Sequence, residues 1–325
     1  MSMKKIAETA GVSVATVSKA FHHSKDISEE TRKQIFAIAK DLGVYEKYAG
    51  ERYPQKIIAA ICPEIQGGFY TEFLQTLNKK ITQRGGFLTV SMDDFDAVTA
   101  EKLYEYHTKY QKVDGVILVN GKANLNNPLR IPTVFMGDTA EKDAVSSGML
   151  EFIDAAVRMC KQNGHEKIAF LGEKLTVSKQ KHFEKAMERE GLWVYRDMVI
   201  SSKFRYEAAG RDGIEQLLAT GRLPDAILTG YDQIAIGAVQ ALREHGLSVP
   251  EDVSVIGMND IEGCTYLEAP LTTIKVDMED LCEKVLELLY RKMENRYYSS
   301  KKQVKAKSWL VQRKSVTRKN KQETF

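Results

Sequence analysis

The spacing of hydrophobic residues along the chain changes near residue 57. Before that point they recur at the intervals typical of one face of an amphipathic helix. One such segment follows Ser28, a residue type that caps helices. Its repeating apolar positions are Ile35, Ile38, Ala39 and Leu42. After residue 57, short continuous apolar runs alternate with amphipathic segments. The pattern predicts a small helical head followed by a larger α/β body.

The head contains the sequence AGVSVATVSK at residues 10–19. Gly11 can adopt the positive φ that ends a helix tightly. The hydroxyl of Ser13 can cap the following helix, and Val12 and Val17 are spaced to seal the contact between the two helices. We expect an all-α helix-turn-helix with a third supporting helix, which presents its second helix to a partner. The alternative is a three-helix bundle with no ligand.

The apolar runs of the body have the length and continuity of buried parallel strands. Examples are IIAAI at 57–61, GVILV at 115–119 and AILT at 226–229. Because amphipathic segments separate these runs, the predicted fold is α/β, with two doubly wound parallel-sheet subdomains of about six strands each. Ligands bind beyond the carboxyl ends of such strands, so we expect a cleft between the subdomains. The loops expected to line it are 63–70, 137–139, 172–179, 230–232 and 257–260.

Composition agrees with a globular protein, since hydrophobic residues make up 43% of the 325 positions. The chain has no apolar run of about 18 residues and no signal segment, so we expect a cytoplasmic protein without membrane contact. Its four cysteines lack CxxC spacing and are interpreted as buried thiols. Residues 1–60 contain ten Lys/Arg against seven acidic residues, and residues 291–325 contain twelve against two. A basic head on a more acidic body is typical of contact with nucleic acid through one end.

Motifs of catalysis are absent from the sequence. It contains no GxGxxG after the first strand, no GxxxxGK[ST], no GxSxG and no HExxH. None of the six histidines has a second histidine or a cysteine four positions further on. We therefore predict that the protein is not an enzyme and has no cofactor and no metal site.

The second helix of the head carries residue types suited to double-stranded DNA. The first residues of such a helix reach base edges in the major groove. Val14 and Ala15 can contact a thymine methyl group, and Lys19 can reach guanine or a phosphate. Hydroxyl groups near the helix start suit phosphates. The predicted DNA contacts in this helix are Ser13, Val14, Ala15, Thr16, Ser18, Lys19 and His22. Two alternatives stay open, namely that Ser13 only caps the helix and that Val14 is buried against a neighbouring helix.

The stretch IAETAGVSVATVSKAF resembles the start of the LacI/GalR family of bacterial transcription regulators. Further stretches match the family in order, among them GHEKIAFLG at 164–172, PLTTIKV at 270–276 and WLVQRKSV at 309–316. The resemblance implies a periplasmic-binding-protein-like body and a homodimer that places two heads on a pseudo-palindromic operator. It also implies that a small effector in the cleft changes the affinity for DNA.

With this resemblance the chain is divided as follows. We predict a helix-turn-helix DNA-binding domain at 1–45, a hinge or linker at 46–56, an effector-binding and dimerisation domain at 57–316, and a disordered basic tail at 317–325. Subdomain N is expected at about 57–161 plus 277–298, and subdomain C at about 162–276 plus 299–316.

The hinge departs from the family pattern, in which a short helix inserts a leucine into the minor groove. Gly50 stands in this segment and weakens a helix by about 1 kcal/mol relative to alanine, and Pro54 ends it. Tyr53 is the candidate for the inserted side chain and is therefore included among the DNA contacts. A flexible or non-helical linker is the alternative.

The cleft also departs from the family. The ligand-holding arginine of the family falls on Lys179, and the asparagine before Asp232 is Tyr231. Asn259 replaces an aspartate, so charged groups that bind sugar hydroxyls are largely lost. Aromatic side chains remain and can stack on a ring. The candidate effector-binding residues are Phe69, Tyr70, Lys179, Phe204, Arg205, Tyr231, Asp232 and Asn259.

The function predicted from the sequence is a sequence-specific DNA-binding regulator, a repressor whose effector is a sugar or related metabolite. Two alternatives stay open. One is a cytoplasmic solute-binding protein, which the body alone resembles. The other is a regulator controlled by a protein co-repressor with no small-molecule effector.

Overall fold

The computed structural model describes residues 3–21, 24, 26–45, 48, 55–119, 131–137, 139, 143–295, 298–300 and 304–319. The chain divides into two compact units, Met1–Lys56 and Ile57–Phe325. Most of the predicted linker at 46–56 lies outside the described residues.

The first unit is a helical head with α1 at Met3–Ala10, α2 at Val14–Phe21 and α3 at Glu29–Asp41. Gly11 has a φ of 67° and turns the chain between α1 and α2. Side-chain caps begin both later helices, because the hydroxyls of Ser13 and Ser28 accept the amides of Thr16 and Thr31 at 3.0 and 3.2 Å. The fully buried side chains of the head are Ile6, Val17, Ala20, Ile35 and Ala39. The predicted helix-turn-helix with its third helix is confirmed.

The second unit contains two sheets. The strands of the first sheet are β1 Ile57–Cys62, β2 Phe87–Met92, β3 Gly115–Val119, β4 Thr133–Met136, β5 Ala144–Ser146 and β11 Val304–Lys305, in the order β11-β5-β4-β3-β1-β2. The strands of the second are β6 Ile168–Glu173, β7 Val199–Ser202, β8 Ala226–Thr229, β9 Ser254–Asn259, β10 Thr272–Val276 and β12 Ser308–Val311, in the order β12-β10-β9-β8-β6-β7. All pairs are parallel except β10 with β12. The predicted architecture of two doubly wound sheets is confirmed.

Helices cover both sheets. Those that pack on the first sheet are α4 Gly68–Gln83, α5 Ala97–Tyr106 and α10 Met278–Glu294. Those that pack on the second are α6 Glu151–Gln162, α7 Val177–Arg189, α8 Tyr206–Ala219 and α9 Asp232–Glu244. We call each sheet with its helices the first and the second subdomain.

The chain crosses between the subdomains at residues 147–150, at Asp277 and at residues 306–307. These crossings are hydrogen-bonded to one another or to the strand ends beside them. The Asp277 amide donates to Lys307 O at 2.9 Å, and the Ala306 amide donates to Ser146 O at 2.9 Å. The Ser308 hydroxyl donates to Ser147 O at 2.6 Å. The three crossings therefore form one connected strip.

Two details differ from the sequence prediction. The strand β11 lies in the first sheet, although residues 299–316 were all assigned to the second subdomain; it pairs with β5 through Val304 and Lys305. The predicted disordered tail begins too early at 317, because the Lys319 amide donates to Asn163 O at 2.8 Å. The helix α5 ends at Tyr106, and the chain continues as a π-helix over His107–Gln111. Among the described residues no helix has the length and apolar character needed to span a membrane.

Candidate functional site

The first turn of α2 forms an exposed surface on the head. Ser13, Val14, Ala15 and Lys19 are exposed, and Thr16 and Ser18 are partly exposed. The side chain of Val14 is 45% exposed, so the alternative of burial against a neighbouring helix is wrong. His22 and Tyr53, the other predicted DNA contacts, lie outside the described residues.

Hydrogen bonds within the head hold the polar side chains of this surface in place. The Ser13 hydroxyl accepts the Thr16 amide and lies 2.8 Å from the Thr16 hydroxyl, so its capping role is confirmed. The Lys19 ammonium donates to the Asp26 carboxylate at 3.1 Å. This hydrogen bond, together with the lysine charge, lowers the pKa of Asp26 below its ordinary value. Lys19 is thus held close to an exposed carboxylate.

A cavity of about 540 Å³ lies between the two subdomains, at the carboxyl ends of the strands. Its aromatic lining comes from both sides. In the first subdomain the Phe69 and Tyr70 rings are 5.5 Å apart, and Tyr70 lies 6.5 Å from Phe95. In the second, the Tyr206 and Tyr231 rings are 5.9 Å apart. Such walls suit a planar or ring-shaped ligand.

The charged side chains of the cavity are hydrogen-bonded to neighbouring backbone and side-chain groups. The Lys179 ammonium donates to Gly230 O at 2.7 Å and lies 6.0 Å from the centre of the Tyr231 ring. The buried Glu173 carboxylate accepts the Leu175 amide at 2.9 Å and the Tyr231 hydroxyl at 3.4 Å. Burial raises the pKa of Tyr231 to about 12, so this hydroxyl keeps its proton at neutral pH.

Arg205 joins the two sides of the cavity. Its guanidinium donates two hydrogen bonds to the Glu64 carboxylate, at 2.8 and 3.0 Å. It also lies 5.0 Å from the centre of the Phe95 ring and 4.6 Å from that of Tyr206. The hydrogen bond to Glu64 raises the pKa of Arg205, which stays charged throughout the accessible pH range.

Comparison with known proteins agrees with this arrangement. Residues 2–45 match the model of bacterial regulatory proteins of the lacI family, and residues 157–316 match that of the periplasmic binding protein-like domain. The ribose operon repressor of Escherichia coli (strain K12) is 28% identical over 316 residues, covering 90% of this chain and 93% of the repressor. The regulator RegA of Clostridium saccharobutylicum is 27% identical over 307 residues, covering 89% of this chain and 92% of RegA.

The chain belongs to the LacI family. A solved lac repressor dimer, bound to operator and an anti-inducer, superimposes with a TM-score of 0.73 at 23% identity, covering 98% of this chain and 99% of that one. A CelR–cellobiose complex gives 0.71 at 21% identity, covering 97% and 99%. At these identities the structural similarity establishes the fold.

In this LacI-family chain most predicted effector residues line the cavity. They are Phe69, Tyr70, Lys179, Arg205, Tyr231 and Asn259. Phe204 does not line it; the side chain is 45% exposed and lies beside Lys203, whose ammonium is 5.1 Å from the ring centre.

Asp232 also does not line the cavity, because its side chain is fully buried behind the wall. Its carboxylate accepts the Ile261 amide at 3.0 Å and the Thr273 hydroxyl at 2.6 Å. Burial raises the pKa of Asp232, although these hydrogen bonds oppose the shift. The residue ties α9 to β10 and to the loop after β9, so the prediction that it contacts an effector is corrected to a structural role.

Several lining residues were not predicted from the sequence. Glu64 and Glu173 lie in loops that were expected to line the cleft, and Phe95 and Tyr206 lie outside those loops. The signal for Glu64 was its position directly after a buried strand and Pro63. Nothing in the sequence indicated that Phe95, beyond the edge strand β2, would reach the cavity.

Proposed function

We propose that this protein is a sequence-specific DNA-binding transcription regulator that acts as a repressor. One observation carries the proposal: the exposed first turn of α2 belongs to a head whose sequence matches the LacI regulatory model. The predicted DNA contacts on α2 are retained in it, and His22 and Tyr53 remain predictions. The domain boundaries given from the sequence are retained as well, with β11 moved to the first subdomain and the tail starting after Lys319.

A helix of this kind reads DNA through its first residues. Val14 and Ala15 present methyl groups, which complement the methyl group of thymine. Thr16 and Ser18 offer hydroxyls for phosphate or base edges, and Lys19 offers a cation. The first one and a half turns of α2 therefore offer groups for the bases and for the sugar–phosphate backbone of DNA.

The effector site in this proposal is the cavity between the subdomains. Its volume of about 540 Å³ falls in the range of small-molecule sites. The rings of Tyr70, Phe95 and Tyr231 suit stacking on a sugar or a related cyclic metabolite. A thermal-shift screen of sugars, nucleobases and phosphosugars tests this part, and a saturable rise in melting temperature supports it.

We further propose a homodimer that binds a pseudo-palindromic operator. The edge strand β2 supports this, because Val90 and Met92 project from it with exposed fractions of 41% and 48%. An apolar edge strand is an association surface unless it is covered.

Fluorescence anisotropy with DNA from the protein's own promoter region tests the central proposal. We expect salt-dependent binding, with an affinity for the promoter fragment well above that for shuffled DNA. Lys19→Ala should weaken specific binding by about 1–3 kcal/mol. Lys33→Ala, which removes an exposed lysine from α3, is the matched control and should have little effect. Equal affinity for promoter and shuffled DNA would contradict the proposal.

A further inference from the structure

The pair Glu64–Arg205 connects elements that belong to different subdomains. Glu64 follows β1 of the first sheet, and Arg205 directly precedes α8 of the second. The two hydrogen bonds between them, 2.8 and 3.0 Å long, give the fork-to-fork geometry that makes arginine–carboxylate pairs strong and directional. The Glu64 side chain is 14% exposed and that of Arg205 34%, so solvent screens the pair only in part.

Further contacts cross the cavity beside this pair. The guanidinium of Arg205 is placed between the ring of Phe95, from the first subdomain, and the ring of Tyr206, from the second. The Tyr206 hydroxyl donates to Gln66 O at 3.4 Å. The loop after β1 also approaches closely at Gly68, where an added Cβ would lie 2.4 Å from Ile261 Cγ2. These contacts form one cluster around the ion pair of Glu64 and Arg205, and we call this cluster the bridge.

The backbone at the bridge is strained on the side of the second subdomain. Tyr206 has a φ of 57°, which is unfavourable for a bulky side chain. Such a conformation persists only where the surroundings hold it, and it is common at switch regions. Here the Tyr206 amide donates to the Tyr231 hydroxyl at 3.0 Å, while its own hydroxyl reaches the first subdomain. The strain thus lies at a residue that the cross-cavity contacts help to fix.

We propose that Glu64, Arg205 and Tyr206 form an internal latch that holds the two subdomains together across the effector cavity. The latch is made of the chain's own side chains, so closure of the cavity does not depend on contacts from an effector. A molecule too large to pass beside the latch enters only when Glu64 and Arg205 separate. The inference rests on the proposed function in one respect, namely that the cavity is the effector site.

Hydrogen exchange of the full-length protein, followed by mass spectrometry without DNA, tests the latch. The variants are Glu64→Gln, which removes a charge at nearly constant volume, Arg205→Gln, which removes a charge and shortens the side chain, and the double variant. Arg211→Gln is the matched control, because Arg211 makes a similar two-bond pair with Glu244 inside the second subdomain. Peptides from 63–72 and 203–210 report the two walls, and peptides from α9 and α10 report the folded core.

We expect each single variant to accelerate exchange at least threefold in both walls, with the core peptides unchanged. The double variant should exchange no faster than the faster single variant, since all three lose the same contact. Arg211→Gln should match the wild type. Exchange that is unchanged in either single variant, or accelerated only in the wall that carries the substitution, overturns the latch.

The two proposals fail separately. Wild-type protein that does not bind promoter DNA counts against the regulator and leaves the exchange result unaffected. Unchanged exchange counts against the latch and leaves DNA binding unaffected.

Discussion

The carboxylate of Asp232 accepts a hydrogen bond of 2.6 Å from the hydroxyl of Thr273, and both side chains are fully buried. Asp232 begins α9 and Thr273 lies in β10, so this bond fixes a helix start to the second sheet directly behind the cavity. An acidic residue is also the type that the first turn of a helix favours.

Replacing Thr273 with valine should lower the free energy of unfolding by about 1–3 kcal/mol. The change removes the donor and leaves a buried carboxylate with one partner fewer. Chemical denaturation measures the effect. Thr265→Val, at an exposed hydroxyl that donates only to Glu262 O, is the control and should leave stability nearly unchanged. Equal stability of the two variants would show that Asp232 tolerates the loss.

Removing the carboxylate next to Lys19 should strengthen DNA binding. In Asp26→Asn the ammonium of Lys19 loses its ion pair with the neighbouring carboxylate. The substitution also removes a negative charge that would repel the phosphates of bound DNA. We expect the affinity for promoter DNA to rise roughly two- to fivefold at low salt. Anisotropy titrations measure it, with Asp41→Asn at the end of α3 as the control for net charge. A rise of the same size in both variants would assign the effect to net charge alone.

Tyr231→Phe should destabilise the second subdomain by about 1–2 kcal/mol, because the Tyr206 amide and Glu173 both lose the hydroxyl as a partner. Thermal unfolding measures the effect. Tyr266→Phe is the control, since Tyr266 is 74% exposed and its hydroxyl bonds only to Glu262 within the same helical turn. A melting temperature of Tyr231→Phe equal to that of the control would contradict the structural role of this hydroxyl.

Stability should fall as the pH drops below about 6.5. Burial lowers the pKa of His165, whose Nε2 lies 2.8 Å from Thr317 O; the carbonyl and Asp225 oppose the shift, and Lys319 adds to it. The unfolded chain takes up the proton near pH 6.5, whereas the folded chain takes it up at a lower pH. The unfolded state is therefore favoured as the pH falls through this range.

Melting temperatures at pH 7.5 and 5.5 measure this dependence. His165→Gln should reduce the difference between the two values without abolishing it, because burial lowers the pKa of His107 as well. An unaltered difference in His165→Gln would exclude this histidine as the source.

Aspartate at the edge strand β2 should dissociate the proposed dimer. In Val90→Asp/Met92→Asp two exposed apolar side chains become charged, which makes burial of this edge against a second copy unfavourable. Sedimentation velocity should show a shift from dimer to monomer. Tyr110→Asp, which adds a charge at a position that is 72% exposed on the same subdomain, should remain dimeric. A dimer that persists in the double variant would place the interface elsewhere.

Local pattern was sufficient to predict the head, most of the strands and most of the loops that line the cavity. Apolar runs and caps act over a few residues, so they can be read from the sequence. The pairing of Glu64 with Arg205 joins residues 141 positions apart, and no local pattern records it. Asp232 was taken for a ligand contact because a polar residue at a strand end looks the same in sequence whether it faces the cavity or lies behind its wall. The strand β11 has two residues, too few to show the pattern of apolar positions that predicts a strand.

The strip of three crossings limits how the subdomains can move. Only Ala306 and Lys307 separate β11 of the first sheet from β12 of the second, and both residues are hydrogen-bonded to the neighbouring crossings or strand ends. So short a connection resists stretching, and opening of the cavity is then a rotation about this strip in which the far edges of the subdomains travel farthest. The ion pair of Glu64 and Arg205 joins the two subdomains across the cavity, so this rotation requires the pair to separate. One ion pair of the proposed latch would then control a motion of whole subdomains.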